Sequence, residues 1–548
     1  MKKSMLILIL IALIGSSNLI NAQVPTWAWA NRAGGSITDE GKSVATDANG
    51  NVYMTGYFNS PSIMFGTSTL TNAGNSDVFI VKYDANGNVL WAKSAGGIYS
   101  DVGTCVTTDA SGNVFMAGYF FGPSITFDTI TLTNVSNEDI FIVKYDSSGN
   151  MLWAKSAGGT ANDYSTSIST DATGNVFMTG YFESQSITFG TTTLTFAGIF
   201  IVKYDTSGNV LWAKSASGSN GGKGNSVATD SSGNVFMTGT FQSDTIIFGI
   251  TLLINAGTFN IYIVKYDTDG NVLWAKNPGG AGNNYGQSVA TDANGNVFIT
   301  GTFGSSAITF GPTTLNNAGI SDIYIAKYNA GGNVLWAKRA GSINYDNGSN
   351  VATDVSGNVF ITGYFKSPSI LFGNTVLTNA SPGYNDIFVT KYDTAGNVLW
   401  AKRIGDSGND YGYSLSTDAS GNLFITGYFQ SSAIDFGTTP LTNAGSSDIF
   451  IAKLNGTTGI EELTSNNSIF VFPNPTTSTI TITIHQDTYS PNQQIIITDV
   501  LGNRVYSQAL NTATETIDIS YLSSGIYFYE VRSGLQIPTS IRGKIVKQ

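Results

Sequence analysis

Five aspartates and one asparagine recur at one position of this chain: Asp39, Asp101, Asp163, Asn284, Asp346 and Asp410, each five residues ahead of Val44 or its counterpart. Gly222 holds the remaining position. If a common framework gathers these residues at one end, their carboxylate and amide oxygens converge, and convergent hard oxygens hold Ca²⁺ or a polar ligand. The local alternative is that each aspartate accepts backbone N–H groups in its own D-x-G or D-x-S turn. Paired carboxylates also permit glycoside hydrolysis, but that needs two acids in unlike environments, and nothing in a near-uniform set singles out one pair.

Other chemistry is sparse. The sole histidine, His485, lies near the C-terminus, so the preceding 484 residues contain no His-based triad and no histidine-ligated metal. Cys105, the one cysteine, aligns with Ser43, Ser167, Ser226, Ser288 and Ser414 and reads as a small packing residue. The glycine-rich stretch around Lys223 lacks the Ser or Thr that a phosphate loop places after its lysine. A lysine recurs at Lys82, Lys144, Lys203, Lys265, Lys327, Lys391 and Lys453; such a set could suggest an anion site, but on third strands a stem packs and the head meets tryptophan or solvent. Equal repeats indicate equal structural work, and no enzyme activity is expected.

The elements that position these residues come from a repeat. The motif T-D-x-x-G-N-V-F-x-T-G-Y-F begins at Thr46, Thr108, Thr170, Thr229, Thr291, Thr353 and Thr417, in steps of 62, 62, 59, 62, 62 and 64 residues. Each copy holds four strand-like segments, in the first copy Ser43 to Asp47, Val52 to Phe58, Val78 to Asp84 and Val89 to Ala95. The D-x-x-G-N joints at Asp47 and Asp84 suit type I hairpin turns, and they lack the further acids of an EF-hand loop. Small residues recur where first strands crowd, as at Ala45, Thr107 and Ser169. Four antiparallel strands repeated seven times predict a seven-bladed β-propeller.

Closure has its own signature. The tryptophan of W-A-K follows six copies, at Trp91, Trp153, Trp212, Trp274, Trp336 and Trp400, but no such strand follows the seventh. Trp27-Ala28-Trp29-Ala30-Asn31 precedes the first copy, so the N-terminal strand is expected to close the last blade. The long inserts between second and third strands, such as Asn59 to Asp77, are expected on the same face as the aspartates, where binding would occur.

Charged residues are 11% of the 548, glycines number 63, and the formal charge is −11, which disfavours nucleic acid as a partner. Met1-Lys2-Lys3, an apolar run from Met5 to Ile14 and the small-residue site at Asn21-Ala22 predict a signal peptide over 1–22 and no transmembrane segment in the mature chain. The division expected is therefore 23–454 for the propeller, 455–467 for a polar linker and 468–548 for a small β-sandwich.

D-x-x-G-N-V-F-x-T-G-Y-F with I-x-F-G, D-I-F-I-V-K-Y-D and G-N-V-L-W-A-K resembles the bacterial β-propeller repeat called SBBP, over about residues 27–454. Phe472-Pro473-Asn474-Pro475, Asp499-Val500-Leu501-Gly502, Leu522-Ser523-Ser524-Gly525-Ile526-Tyr527 and Gly543-Lys544-Ile545-Val546-Lys547 resemble the type A C-terminal sorting domain of the type IX secretion system. The resemblance makes Pro473, Asn474, Pro475, Gly502, Gly525, Tyr527 and Lys544 sorting-signal residues. It implies a Bacteroidetes origin, handling by the type IX machinery, and release or attachment at the cell surface. Asp128-Thr129-Ile130, Asp244-Thr245-Ile246 and Asp393-Thr394-Ala395 resemble that lineage's O-glycosylation motif. The function expected is a monomeric, non-enzymatic binding or adhesion module for extracellular glycan or protein, needing no cofactor unless the aspartates hold Ca²⁺. The alternatives are a purely structural surface or matrix component and, less favoured, a glycan-cleaving enzyme.

Overall fold

The computed structural model describes residues 25–456, 469–484, 493–532 and 541–547, apart from 217, 219, 220, 438 and 501. The expected signal peptide, most of the linker and His485 lie outside these. Two compact units divide between Gly456 and Thr457.

The first unit is all-β and propeller-like, built of seven four-stranded antiparallel sheets. Sheet 1 runs Asp39–Thr46, Val52–Phe58, Asp77–Tyr83 and Val89–Ala95 in that spatial order, and sheets 2 to 6 repeat it along the chain. Every residue of the third strand Asp77–Tyr83 is buried, as are six of the seven in Val52–Phe58. Burial on both faces explains why these strands read as continuous apolar runs instead of an alternation. The joints between strands are the expected turns. Asp47 Oδ1 accepts the N–H groups of Asn49 and Asn51, both at 2.9 Å, and Gly50 takes φ +77°, a conformation glycine adopts without a Cβ clash.

The first strand begins four residues earlier than its composition indicates, at Asp39. The register shifts between Gly41 and Ser43, so Lys42 is a bulge that hides the alternation while Asp39 still pairs with Phe58. The same shift recurs at Cys105, Ser167 and their counterparts.

Neighbouring sheets are joined by two repeated contacts. The hydroxyl of Thr108 donates to the Thr46 carbonyl at 2.8 Å, Thr170 donates to Thr108, and the series continues through Thr229, Thr291, Thr353 and Thr417. Thr46 then donates to Thr417 at 2.9 Å, returning to the first sheet. Farther out, Lys82 Nζ and Trp91 Nε1 donate to one carbonyl of the next sheet, that of Ser147, at 2.8 and 3.3 Å. Lys144 with Trp153, Lys203 with Trp212, Lys265 with Trp274 and Lys327 with Trp336 repeat this, each lysine head standing over an aromatic ring such as Phe115 or Phe177. The lysine series joins neighbouring sheets as staples, its heads meeting a carbonyl of the next sheet and a Phe or Tyr ring instead of the expected tryptophan or solvent.

The N-terminal strand Trp27–Ala33 pairs antiparallel with Asp448–Leu454 and completes sheet 7. Its Trp29 Nε1 and Lys453 Nζ donate to the Ala85 carbonyl at 3.1 and 3.0 Å, so the staple is made here by residues from opposite ends of the repeat region.

The inserts correct one expectation. Each carries a two-stranded hairpin, in sheet 1 Ser62–Phe65 with Ser68–Thr71, whose Ile63, Phe65 and Leu70 join the core. These hairpins turn away from the aspartates and pack by the fourth strands, with Gly66 over Val89 and Phe436 edge-on to Trp27 at 4.9 Å. The I-x-F-G motif drives this, because its two alternating apolar side chains need cover that the aspartate end does not offer.

The second unit has a three-stranded sheet (Ile469–Phe472, Thr479–Ile484, Thr514–Asp518) and a four-stranded sheet (Arg504–Leu510, Gln493–Thr498, Gly525–Arg532, Ile541–Lys547). They share a core of Ile480, Ile482, Ile495, Ile497, Ile517 and Ile545. Asn474, between Pro473 and Pro475, holds the last strand by donating to the Lys544 carbonyl at 2.6 Å and accepting Val546 N–H at 2.8 Å. Gly502 turns at φ +83°, Gly525 opens a strand opposite Lys547, and the Tyr527 hydroxyl donates to Ser523 at 2.9 Å.

Trp29 also lies 6.2 Å from Tyr83 and 6.0 Å from Phe424, centroid to centroid, linking sheets 1 and 7. Trp29→Ala is expected to destabilise the first unit by about 2–4 kcal/mol, and deletion of 23–32 to expose a sheet edge and promote aggregation. Thermal unfolding and light scattering check both, and an unchanged melting temperature and monomeric state would reject the seam.

Candidate functional site

The six recurrent residues open the first strands but do not gather around one centre. Asp39 is fully buried, its Oδ2 accepting Gly35 N–H at 2.8 Å and the Ser60 hydroxyl at 2.7 Å, its Oδ1 accepting Asn59 and Ser60 N–H at 3.0 Å. Asp346 and Asp410 make the same set of bonds with Ser367 and Ser431. Asp163 and Asn284 bind Ser184 and Ser305. Each residue ties the crossover before its strand to the loop after the next one, which is the local alternative. Among the described residues there is no group of three or more His, Cys, Asp or Glu arranged to hold a metal. In this structure the six residues serve as buried loop anchors.

Their acidic neighbours come from the third strands. Asp39 lies by Asp448, Asp101 by Asp77, Asp163 by Asp139, Asp346 by Asp322, and Asp410 by Asp386. Three of these junctions receive a guanidinium: Arg32 on Asp448, Arg339 on Asp322, and Arg403 on Asp386. Another pairs amides instead, Asn284 Nδ2 donating to Asn260 Oδ1 at 3.2 Å. The remaining two place Ser94 and Ser156 where the arginines stand in the register. Burial there pushes Asp101 up to about 7, with the Asp77 charge adding to it, and pushes Asp139 and Asp163 up to about 6. Asp101 also lacks the usual serine, because Gly122 holds that place.

A second set of side chains lies at the same end of the sheets. The second-strand residue before the final Phe is Tyr57, Tyr119, Tyr181, Thr240, Thr302, Tyr364 and Tyr428 in sheets 1 to 7. Opposite them on the first strands stand Glu40, Val102, Tyr164, Lys223, Tyr285, Asn347 and Tyr411. The rings form two connected runs along one arc of the sheets. Tyr364 lies 4.7 Å from Tyr411, Tyr411 lies 4.8 Å from Tyr428, and the bulge residue Tyr413 lies 5.5 Å from Tyr428. Lys42 bridges the seam, 4.4 Å from the Tyr413 ring and 5.4 Å from Tyr57, while paired with Glu40 at 2.6 Å. Tyr119 continues to Tyr164 and Tyr164 to Tyr181, each at 4.9 Å, and Lys223 stands 4.5 Å over Tyr181. The arc stops at Thr240 and Thr302.

Burial raises the phenol pKa of Tyr57, Tyr119, Tyr164, Tyr181, Tyr364, Tyr413 and Tyr428, to about 12 at Tyr119 and Tyr181, so those hydroxyls stay protonated and able to donate at neutral pH. Most of these rings are half-buried, with an edge or face left open. The sequence carries the signal for them, since Tyr alternates with Thr at a position otherwise embedded in repeated residues. That their rings touch from sheet to sheet is not readable from it. Cys105 is buried and its thiol is pushed up to about 12 by that burial, consistent with a packing residue. Among the described residues, no helix is long and apolar enough to cross a membrane.

A carboxyl whose folded pKa is raised stabilises the fold below the unfolded value near 4 and loses that contribution as the pH rises through the folded value. For Asp101 that loss spans roughly pH 4 to about 7. Asp101→Asn, which copies the amide used at the Asn260 and Asn284 junction, is expected to raise unfolding free energy at pH 8 by about 1–3 kcal/mol and to change it little at pH 4.5. Urea titrations at the two pH values check this, and equal effects at both would contradict it.

Comparison with known proteins places these features. The secretion system C-terminal sorting domain matches residues 470–548, and the β-propeller repeat SBBP matches 28–61 and 399–428. An uncharacterized WD repeat-containing protein of Acanthamoeba polyphaga mimivirus is 25% identical over 508 residues, covering 74% of this chain and 36% of its own length. The regulatory protein FlaEY of Caulobacter vibrioides is 23% identical over 275 residues, covering 47% of this chain and 28% of its own. The chain thus spans about a third of the length of the curated relatives it matches. Similar solved structures include the extracellular domain of a B. thetaiotaomicron hybrid two component system (12% identity, 94% of this chain and 55% of that one, TM-score 0.35). The WD40 domain of Neurospora crassa Pan2 is similar as well (8% identity, 77% and 90%, TM-score 0.36). Two segments of the first unit thus match the SBBP β-propeller repeat, and the C-terminal unit matches the secretion system sorting domain, which indicates export by type IX secretion to the cell surface or the medium.

Proposed function

We propose that the first unit is a closed seven-bladed propeller acting as a monomeric, non-enzymatic binding module, and that its ligand engages the mouth at which the first strands begin. The observation that carries this reading is where near-identical repeats stop being identical. Asp39, Gly41 and the residues packed behind them recur around the ring, whereas the side chains between them do not. At the bulge the series is Lys42, Thr104, Thr166, Asn225, Gln287, Ser349 and Tyr413. A purely structural ring has no reason to vary one rim while its interior and its staples repeat. Surface loops on a rigid scaffold are where recognition resides. Asp39, Asp346 and Asp410 are buried and held by loop N–H groups and serine hydroxyls, and the reading includes no catalysis and no cofactor.

Purified mature chain on an array of glycans and matrix proteins, with calcium and again with chelator, tests it. Saturable binding is expected under both conditions and is expected to be lost in Tyr411→Ala. Absence of binding in every arm would sink the reading in favour of a structural component. Separately, removal of 468–548 is expected to retain the protein inside the producing cell, as fractionation and immunoblotting would show.

A further inference from the structure

We infer that the tyrosine arc binds an extended, uncharged glycan chain, laid off-centre across the mouth from Tyr364 to Tyr181; this rests on the binding-module reading and assigns its ligand class. The arc is a row of rigid amphipathic side chains, each with an apolar ring and a protonated hydroxyl. A pyranose offers the complementary pair of features, a C–H face that covers a ring and a rim of hydroxyls that bridge phenols. Tyrosine makes such contacts at low conformational cost, because only two side-chain torsions are fixed.

The order of rings gives the ligand its shape. Successive centroids 4.7 to 4.9 Å apart run through Tyr364, Tyr411 and Tyr428 in sheets 6 and 7, then through Tyr119, Tyr164 and Tyr181 in sheets 2 and 3. Lys42 stands between the two runs, over Tyr413 and Tyr57. Thr240 and Thr302 interrupt the row in sheets 4 and 5. A small compact ligand on the axis would call for equal contacts from all sheets, whereas an interrupted row fits a linear chain with two ends.

Charge excludes the neighbouring classes. Glu40 neutralises Lys42 at 2.6 Å, and Glu138 accepts from the Tyr164 hydroxyl, so Lys42 is not free to bind an anion and the adjacent carboxylates repel one. Sulfated or uronate-rich glycans are therefore disfavoured. A protein partner anchored by apolar side chains finds no apolar counterpart at the strand positions beside the tyrosines, which are Glu40, Lys42, Lys223 and a set of Asn, Gln, Ser and Thr apart from the buried Val102.

The test is calorimetric titration of the full mature chain with neutral β- and α-linked oligohexoses and chito-oligosaccharides of two to eight units, and with a sulfated oligosaccharide for contrast. Affinity for one neutral series is expected to rise with chain length and to hold at high salt. Tyr411→Ala and Tyr119→Ala are each expected to weaken it at least tenfold, whereas Tyr411→Phe, which keeps the ring and the packing, is expected to weaken it less than fivefold. Melting curves of the three variants separate a lost ligand from a lost fold. Saturable binding of a matrix protein that is lost in Tyr411→Ala but not competed by any neutral oligosaccharide would overturn the glycan assignment while leaving the binding module standing. Preference for the sulfated ligand, or equal affinity for every chain length, would overturn it too. No ligand at the mouth in any arm would overturn both readings.

Discussion

The threonine hydroxyl that each first strand donates to the carbonyl of its counterpart in the neighbouring sheet is the contact on which the rest of the first unit depends. A single four-stranded sheet with apolar side chains on both faces cannot keep them from water, so it is stable only between two neighbours. The threonine series fixes how the first strands of those neighbours meet, and it extends from Thr417 of sheet 7 to Thr46 of sheet 1. The lysine and tryptophan donors that converge on one hairpin carbonyl do the same farther out, as at Ser147. With separation set at two radii, the wedge-shaped gap between sheets is determined, and the core side chains fill it.

That geometry has a cost at the ends of the strands. Crossing from a fourth strand to the next first strand brings two chain segments together out of contact with water, and their backbone N–H groups need acceptors. Aspartate oxygens serve at most junctions, which puts carboxylates from adjoining sheets side by side. The chain answers the repulsion in three ways: a guanidinium at Arg32, Arg339 and Arg403, a pair of amides at Asn260 and Asn284, and glycines at Gly198 and Gly222. The junctions with Ser94 and Ser156 have none of these, and burial raises the carboxyl pKa there as it does at the arginine junctions, Asp410 among them. What looks in sequence like a functional acidic ring is a repeated solution to a backbone problem, with local variants.

Beside these constant anchors sits the part of the molecule that varies. The bulge at Lys42 and its counterparts releases one residue per sheet from the pairing, and strand alternation presents the neighbouring first- and second-strand side chains at the same end. These positions are free of the demands of the ladder and the core, so their identities can follow a ligand. Tyrosines concentrated over five of the seven sheets, and replaced by threonine in two, give the mouth a direction that the scaffold lacks.

Most of the architecture was legible from the chain alone, because the interactions that specify it are local. Strand composition, D-x-x-G-N turns, the repeat spacing and the displaced W-A-W strand identify seven sheets and the seam without any knowledge of how sheets pack. The sorting tail was legible for the same reason, through motifs such as Phe472-Pro473-Asn474-Pro475. The inserts were misread because a hairpin's destination depends on which surface lacks cover, and that surface is formed by another strand. The aspartates were noticed, but their role was not settled, since a carboxylate in a turn and one in a metal site look alike until its hydrogen bonds are known. Sequence thus determined the elements, their number and their order. Tertiary structure alone decided that Asp101 faces Asp77, that Tyr119 touches Tyr164 and that Lys42 spans the seam, because those meetings join residues of different sheets and depend on how one sheet is rotated and spaced against the next.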